Sequence, residues 1–508
     1  MALTAVVVMV AFVGLSCRSG SEEAPLPSTL EATPDPTPTG TPLAPLGSTQ
    51  AQQDAMYGLL QSVSLSNRGQ ADSAISDILA MEDRAFVPVL IEVLRLPVNR
   101  PSFDFNVEVV LPALQLLTGE NFSYDLKAWD EWLGRQQGIT APEGYVQWKA
   151  ALYSRIDPRF ADFFVDPETN EPFPEEKIRL DLTQVVWGGV FLDDGTGFRS
   201  IPALVNPLMI TPDEADYLND SDRVFGVSIN GDHRAYPLRV MNPHEMANDV
   251  VGGVPVALAY CTLCGAGILY DTTVGDTVFT FRTSGLLFKS NKLMYDLATK
   301  TIWNQFTGEP VLGELADSGI RLEILPIAVT TWGEWLARHP DTQALSTNTG
   351  YNRSYASEDD PNAVYFDYFA SPDTMFAVPE QDDRLELKDA VFGLEVEGAA
   401  KAYPIEAMRN EPVANDTLGG VNVVLITEPA SGAVRAYERG DRIFQLDPES
   451  QRTDLVLDQE GEVWRIEESV LVSVVQPEAR LERIGGHAAY WFAWYSFFPE
   501  TTVYEAGE

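Results

Sequence analysis

The chain has 508 residues, room for roughly two to four domains that each bury a full core. Apolar content of 45% is ordinary for a globular protein, but a formal net charge of −41 is not, and like-charge repulsion makes nucleic acid and anionic membrane surfaces poor partners. Three cysteines, Cys17, Cys261 and Cys264, are too few for a disulfide scaffold.

In chain order, Leu3 to Leu15 form an apolar run of signal-peptide length, too short to span a bilayer. It ends in Gly14-Leu15-Ser16-Cys17, which resembles a bacterial lipobox in which Cys17 is acylated and becomes the mature N-terminus. No Lys or Arg precedes the run, and Leu15 stands one place closer to the cysteine than is usual; a cleaved secretory signal is the alternative. Residues 18–50 are rich in Pro, Thr, Ser and Glu, a composition that cannot bury a core and favours extended chain. The expectation is a signal segment at 1–17 and a tether at 18–50 holding an exported protein to an envelope membrane through an N-terminal lipid.

Residues 51–165 read as a helical module. Asp83 is placed to cap a helix with an apolar face of Phe86, Val89, Leu90, Val93 and Leu94. A second run, 107–117, presents Val110, Ala113, Leu114 and Leu117 and stops at Thr118-Gly119. Asp125 can cap a third helix carrying Trp129, Trp132 and Leu133. Such helix pairs resemble HEAT-type repeats, a plain bundle being the alternative; either offers a surface for a protein partner.

Beyond residue 185 the chain repeats itself. Val224-Phe225-Gly226, Ala235-Tyr236-Pro237, Ala247-Asn248-Asp249 and Gly252-Gly253-Val254 recur 167 positions later, from 224 to 391, as Val391-Phe392-Gly393, Ala402-Tyr403-Pro404, Ala414-Asn415-Asp416 and Gly419-Gly420-Val421. Trp332-x-x-Trp335 recurs 159 positions later, from 332 to 491, as Trp491-x-x-Trp494. Short segments rich in β-branched and aromatic residues, such as 225–229, 254–260, 267–270 and 277–282, read as strands. Asn230-Gly231 suits a tight hairpin turn, and 331–338 a short helix. The fold class expected is α+β: an N-terminal all-helical module followed by two tandem, homologous β-rich domains at 185–355 and 360–508, the first with Cys-x-x-Cys and the second without.

At Ala235-Tyr236-Pro237, the Asn248-Asp249 to Val256 run, Tyr260-Cys261-Thr262-Leu263-Cys264-Gly265, Ser284-Gly285-Leu286-Leu287, Met294-Tyr295-Asp296, Trp303-Asn304-Gln305 and Thr331-Trp332-x-x-Trp335, the chain resembles domain-of-unknown-function family 3179, over about 190–355 with a diverged second copy. Thr262 stands where the family usually has proline, and Pro243 where it often has tryptophan. The resemblance implies no activity.

Chemistry concentrates at Cys261-Thr262-Leu263-Cys264-Gly265, between two strands. Two thiolates at this spacing bind one soft or borderline ion such as Zn, Cu or Fe, and His244 is the best third ligand among His233, His244, His339 and His487. In the second copy Glu411, Glu428 and Ser431 replace His244, Cys261 and Cys264 together, as a lost site would. A thiol–disulfide couple is the second reading, and an inert thiol pair or disulfide in a non-catalytic binding or scaffolding protein the third. Asp249 is a candidate ligand or proton carrier, although Asp416 persists without the cysteines; Glu245 and Asp271 are weaker ones. Ser284, Asn291, Tyr295, Asp296, Trp303 and Gln305 form a candidate pocket for a small ligand. No P-loop, dinucleotide fingerprint or G-x-S-x-G elbow occurs.

Overall fold

The structure, a computed structural model, describes residues 49–65, 68–96, 104–447 and 452–507. The leader, Cys17 and nearly all of the tether lie outside the described residues. Among the described residues no helix is long and apolar enough to cross a membrane.

A helical N-terminal region precedes a large β-rich region. Helices span Thr49–Leu65, Arg68–Met81, Val87–Arg95, Asp104–Thr118, Leu126–Gly134 and Tyr145–Tyr153. Asp83 caps a 3-10 turn ahead of Val87–Arg95, its carboxylate accepting from the Ala85 N–H at 2.9 Å. The Asp125 carboxylate accepts from the Ala128 N–H at 3.0 Å, where it caps the helix that buries Trp129, Trp132 and Leu133. These helices do not close on themselves. Their core runs on into Val185, Trp187, Leu286, Leu293, Tyr295 and Ile302 of the first sheet.

A buried polar cluster ties that junction. The Lys149 amino group donates to the Leu182 and Val185 carbonyls at 2.6 Å each and lies 3.3 Å from the Glu92 carboxylate. Tyr153 donates to the other Glu92 oxygen at 2.9 Å, and Arg95 pairs with Asp130 at 2.7 Å. Lys149 therefore pins the segment leading into strand 185–187 to two helices.

The first half of the β-rich region holds three five-stranded sheets. One orders strands 185–187, 281–288, 291–296, 302–304 and 310–312; a second orders 324–325, 266–271, 254–261, 246–251 and 204–205; a third orders 328–331, 223–229, 232–237, 343–345 and 209–210. The second half has a four-stranded sheet of 487–490, 390–396, 399–404 and 502–503 and an eight-stranded sheet running from 413–418 to 444–446. The strand expected at 277–282 divides, with Thr277–Val278 leaving the sheet that Phe281–Phe288 joins. Asn230 and Gly231 both take positive φ, 51° and 81°, as the tight hairpin requires.

Several contacts occur twice. Trp335 lies on Gly226 and Trp494 on Gly393, so close that a Cβ on either glycine would fall 2.3 Å or 2.1 Å from the ring. The Trp335 indole donates to Thr342 and the Trp494 indole to Thr501, both at 2.8 Å. Asn248 exchanges two bonds with the Phe281 backbone, and Asn415 does the same with Phe444. Trp303 donates to Asp296 at 3.0 Å and Trp464 to Asp458 at 3.2 Å. These recurring side chains carry hydrogen bonds and packing in both halves.

Removing the amine while leaving Glu92 buried should be costly. Lys149→Ala is expected to lower unfolding free energy by about 3–5 kcal/mol in urea denaturation. The double variant Lys149→Met, Glu92→Leu should recover most of it; equal loss in both variants would show that the charge pair is not what holds the junction.

Candidate functional site

Strand 254–261 carries Cys261 at its end, and the chain reverses through Thr262–Gly265 into strand 266–271, with Cys261 paired to Ala266. The Cys264 N–H donates to the Cys261 carbonyl at 3.2 Å, and Gly265 closes the turn with φ of 60°. Two partners from later in the chain hold this turn. The Tyr490 N–H donates to the Cys264 carbonyl at 2.7 Å, and the Tyr368 hydroxyl donates to the Leu263 carbonyl at 2.6 Å.

Both thiols are free and buried, and their sulfurs lie 2.7 Å apart. Their roles differ. Cys264 faces inward: its sulfur meets the Asn291 amide N–H at 3.2 Å, that amide also bonds Gln305 at 3.1 Å, and Gln305 donates to the Ala259 and Ala266 carbonyls. Burial holds the Cys264 thiol well above its ordinary pKa, with Cys261 reinforcing the shift. Cys261 faces a narrow cavity of about 60 Å³, whose polar lining includes Glu245, Thr283, Lys292 and Tyr365.

Glu245 and Lys292 form the cavity's titratable pair. The Lys292 amine donates to the Glu245 backbone carbonyl in a short bond, and lies 3.9 Å from the carboxylate. The same carboxylate accepts from Thr262 at 2.8 Å and from Tyr365 at 3.2 Å. Burial raises the Glu245 carboxyl pKa and lowers that of the Lys292 amine, each opposed by attraction to the other. Glu245 adopts φ of 56°, a strained backbone for a non-glycine residue, which its interior partners maintain. A buried lysine and glutamate that line one cavity with a thiol can accept or return a proton there.

The set Cys261, Cys264 and His244 is not assembled around an ion. The neutral His244 ring donates through Nδ1 to the Pro202 carbonyl at 2.7 Å, and its Nε2 accepts from the Tyr355 hydroxyl at 2.8 Å. Both nitrogens are thus committed to oxygen partners, and among the described residues no three of His, Cys, Asp and Glu form a group that could hold a metal ion. The Cys₂His set expected for Zn, Cu or Fe is therefore not brought together here, because His244 faces Pro202 and Tyr355 instead of the sulfurs.

Asp249 belongs to the scaffold, accepting from Arg234 at 2.7 Å, Tyr236 at 2.6 Å and the Val250 N–H at 2.8 Å. Of the six candidate pocket residues, Asn291 touches the Cys264 sulfur and Gln305 stands behind Asn291, while the others bond elsewhere. Ser284 closes a bulge by donating to the Leu293 carbonyl at 2.5 Å, Tyr295 bonds the Asp193 carbonyl, and Asp296 and Trp303 bond each other. His233 and His339 stack on each other at 4.1 Å, remote in sequence from the cysteine turn. Sequence reasoning missed Lys292, Thr262 and Tyr365 and underrated Glu245. The available signal was Lys292 itself, a lone cation in the apolar strand 291–296 whose residues are all buried.

The tightly held His244 gives a pH prediction. Burial pushes its pKa down to about 4, against about 6.5 in an unfolded chain. Between these values the unfolded state binds the extra proton, so the stabilisation from neutral His244 is complete above about pH 6.5 and is lost as pH falls to about 4. Wild type minus His244→Gln, compared in urea unfolding across this range, should show a slope of about 1.4 kcal/mol per pH unit. Parallel curves would refute the assignment.

No curated protein and no solved structure matches the chain. Residues 199–501 match the family described as "Protein of unknown function (DUF3179)", and the match runs through both halves of the β-rich region, the first copy and its diverged relative as the sequence suggested. With well over half of its length matched, from the third sheet's approach to the last tryptophan helix, the chain belongs to the DUF3179 family.

Proposed function

We propose that Cys261 and Cys264 are a two-electron thiol–disulfide couple that serves a small disulfide entering the cavity beside Lys292. The observation that carries this is asymmetry. Cys261 opens on the cavity that Glu245 and Lys292 line, while Cys264 waits 2.7 Å behind it, held by Asn291. In the forward direction the Cys261 thiolate attacks one substrate sulfur, forms a mixed disulfide and expels the first substrate thiolate. The Cys264 thiolate then attacks the Cys261 sulfur, closes the intramolecular disulfide and expels the second. Two protein thiols are oxidised, one substrate disulfide is reduced, and the two protein protons end on the substrate thiols. The Lys292–Glu245 pair takes the Cys261 proton and passes it on. Met375 lines the cavity and is half exposed to solvent, so it is the side chain whose movement would admit the substrate.

We also infer that the second half is a diverged copy that kept the scaffold and lost this site. In support, the contacts of Trp335, Asn248 and Asp296 recur at Trp494, Asn415 and Asp458. The matching positions for Glu245, Thr262, Lys292, Asn291 and Gln305 are Pro412, Pro429, Asp454, Thr453 and Ile466. The whole polar set changes with the cysteines, as expected for parts of one device.

A complete burial of both sulfurs favours a second reading, an inert structural pair. Equilibration of the full chain in graded reduced and oxidised dithiothreitol, followed by alkylation and mass analysis of the 261–264 peptide, separates the two. The couple should interconvert reversibly with a midpoint above about −300 mV, whereas a structural disulfide lies below it. Lys292→Met should slow the exchange and shift its pH profile with the midpoint little changed. A pair that never cross-links, or stoichiometric metal lost on Cys261→Ser after anaerobic purification, would overturn the proposal.

We further propose that the protein is exported and anchored through lipid on Cys17. Cells fed a labelled fatty acid should label the wild-type chain and not Cys17→Ser; label on both, or on neither, refutes the anchor.

A further inference from the structure

We propose that the groove where strand 390–396, the glycines before His487 and helix Trp491–Phe497 meet residues 321–324 binds a small organic amine, its ammonium at His487 and the glutamate rim and its carbon skeleton on Trp494 and Phe498. The groove encloses about 340 Å³ and is lined by Arg321, Glu395, Glu397, His487, Trp494 and Phe498 among others. That volume falls at the small end of the ~300–1,000 Å³ range of ligand sites.

Four observations converge on an amine. First, His487 is buried, only 3% exposed, and its Nε2 has no hydrogen-bond partner among the described residues. An orphaned buried nitrogen of this kind costs free energy unless something fills it. Burial pushes the His487 pKa down to about 3, so the ring stays neutral and can accept a hydrogen bond from an ammonium. Second, the walls are aromatic. Trp494 and Phe498 stack at 4.3 Å, and Phe306 meets the His487 ring edge-on at 4.8 Å. Aromatic faces attract cations and apolar skeletons alike.

Third, the rim is acidic. Arg321 is already paired with Glu395, its Nη1 lying 3.2 Å from the carboxylate, which leaves Glu397 without an opposing charge in the lining. A chain of net charge −41 also draws cations and repels carboxylates at long range.

Fourth, the sister niche in the first half already holds an organic cation. There the Trp335 ring lies against His339, tilted by 49° with centroids 4.3 Å apart, at the place where Trp494 meets Phe498. Glu468, 3.8 Å from the His339 Nε2, holds the Arg483 guanidinium there at 2.6 Å, and Arg483 also donates to the Ile327 carbonyl at 2.7 Å. Strand register fixes the correspondence. Ile324 pairs with Tyr270 as Arg483 pairs with Tyr437, and Ala328 faces Gly226 as His487 faces Gly393. So where one half inserts a guanidinium, the other has Ile324 and open space beside an unpartnered imidazole.

The test is calorimetric titration of the full chain with phenethylamine, 2-phenylethanol and 3-phenylpropanoate. Phenethylamine should bind saturably and about tenfold or more tighter than either counterpart, the scale of one charge-assisted hydrogen bond. Glu397→Gln, on an exposed turn, should weaken phenethylamine several-fold while leaving the melting temperature unchanged. His487→Ala should abolish binding, and it counts only where the melting curve shows a folded chain; Glu397→Gln carries the test otherwise. Absence of phenethylamine binding, equal binding of the alcohol or the carboxylate, or binding indifferent to Glu397→Gln would overturn the proposal.

Discussion

The Lys292 amine lies away from water against the backbone carbonyl and carboxylate of a single residue, Glu245. Much of the centre of the protein answers to that placement. An amine and a carboxyl removed from solvent cost several kcal/mol each unless their hydrogen-bonding capacity is met. Thr262 and Tyr365 meet that of the carboxylate, and Thr262 belongs to the cysteine turn itself. The demand for partners therefore draws three separate pieces of chain onto one point: the 244–245 bend, the 261–265 turn and the segment around 365. The positive φ of Glu245 is the local strain that this convergence imposes.

Rigid surroundings make such a centre tenable. The cysteine turn is fastened on its outer side by Tyr368 and by the backbone of Tyr490, so the second half of the β-rich region braces the site without supplying a thiol. The first sheet is braced in turn by helices through Lys149, Tyr153 and Glu92. The helices share a core with the first sheet, and the two halves of the β-rich region, which the family match over 199–501 spans, share another.

The two halves of the β-rich region share some contacts and differ in others. Tryptophans seated on glycines, the Asn248 and Asn415 backbone clasps, and the paired Trp–Asp bonds sit at equivalent places and do the same work in each. Where the halves part, they part in groups. The polar set around Cys261 has no counterpart in the second half, and the niche filled by Arg483 beside Trp335 stands open beside Trp494.

The sequence by itself determined local periodicity and identity. Helix faces such as Val89 to Leu94, the Asp125 cap, the Asn230-Gly231 turn, the repeated strand segments and the cysteine turn were all legible, because each rests on neighbours within a few residues or on a second copy of the same letters. Family membership was legible for the same reason. Only the tertiary structure decided which polar groups meet. It turned both His244 nitrogens toward Pro202 and Tyr355, gave Asp249 to Arg234 and Tyr236, and put Lys292 and Tyr365 beside Cys261. These partners come from as far apart as residues 202 and 365, and their meeting is set by sheet register and by the need to satisfy every buried donor and acceptor, neither of which leaves a trace in short-range spacing.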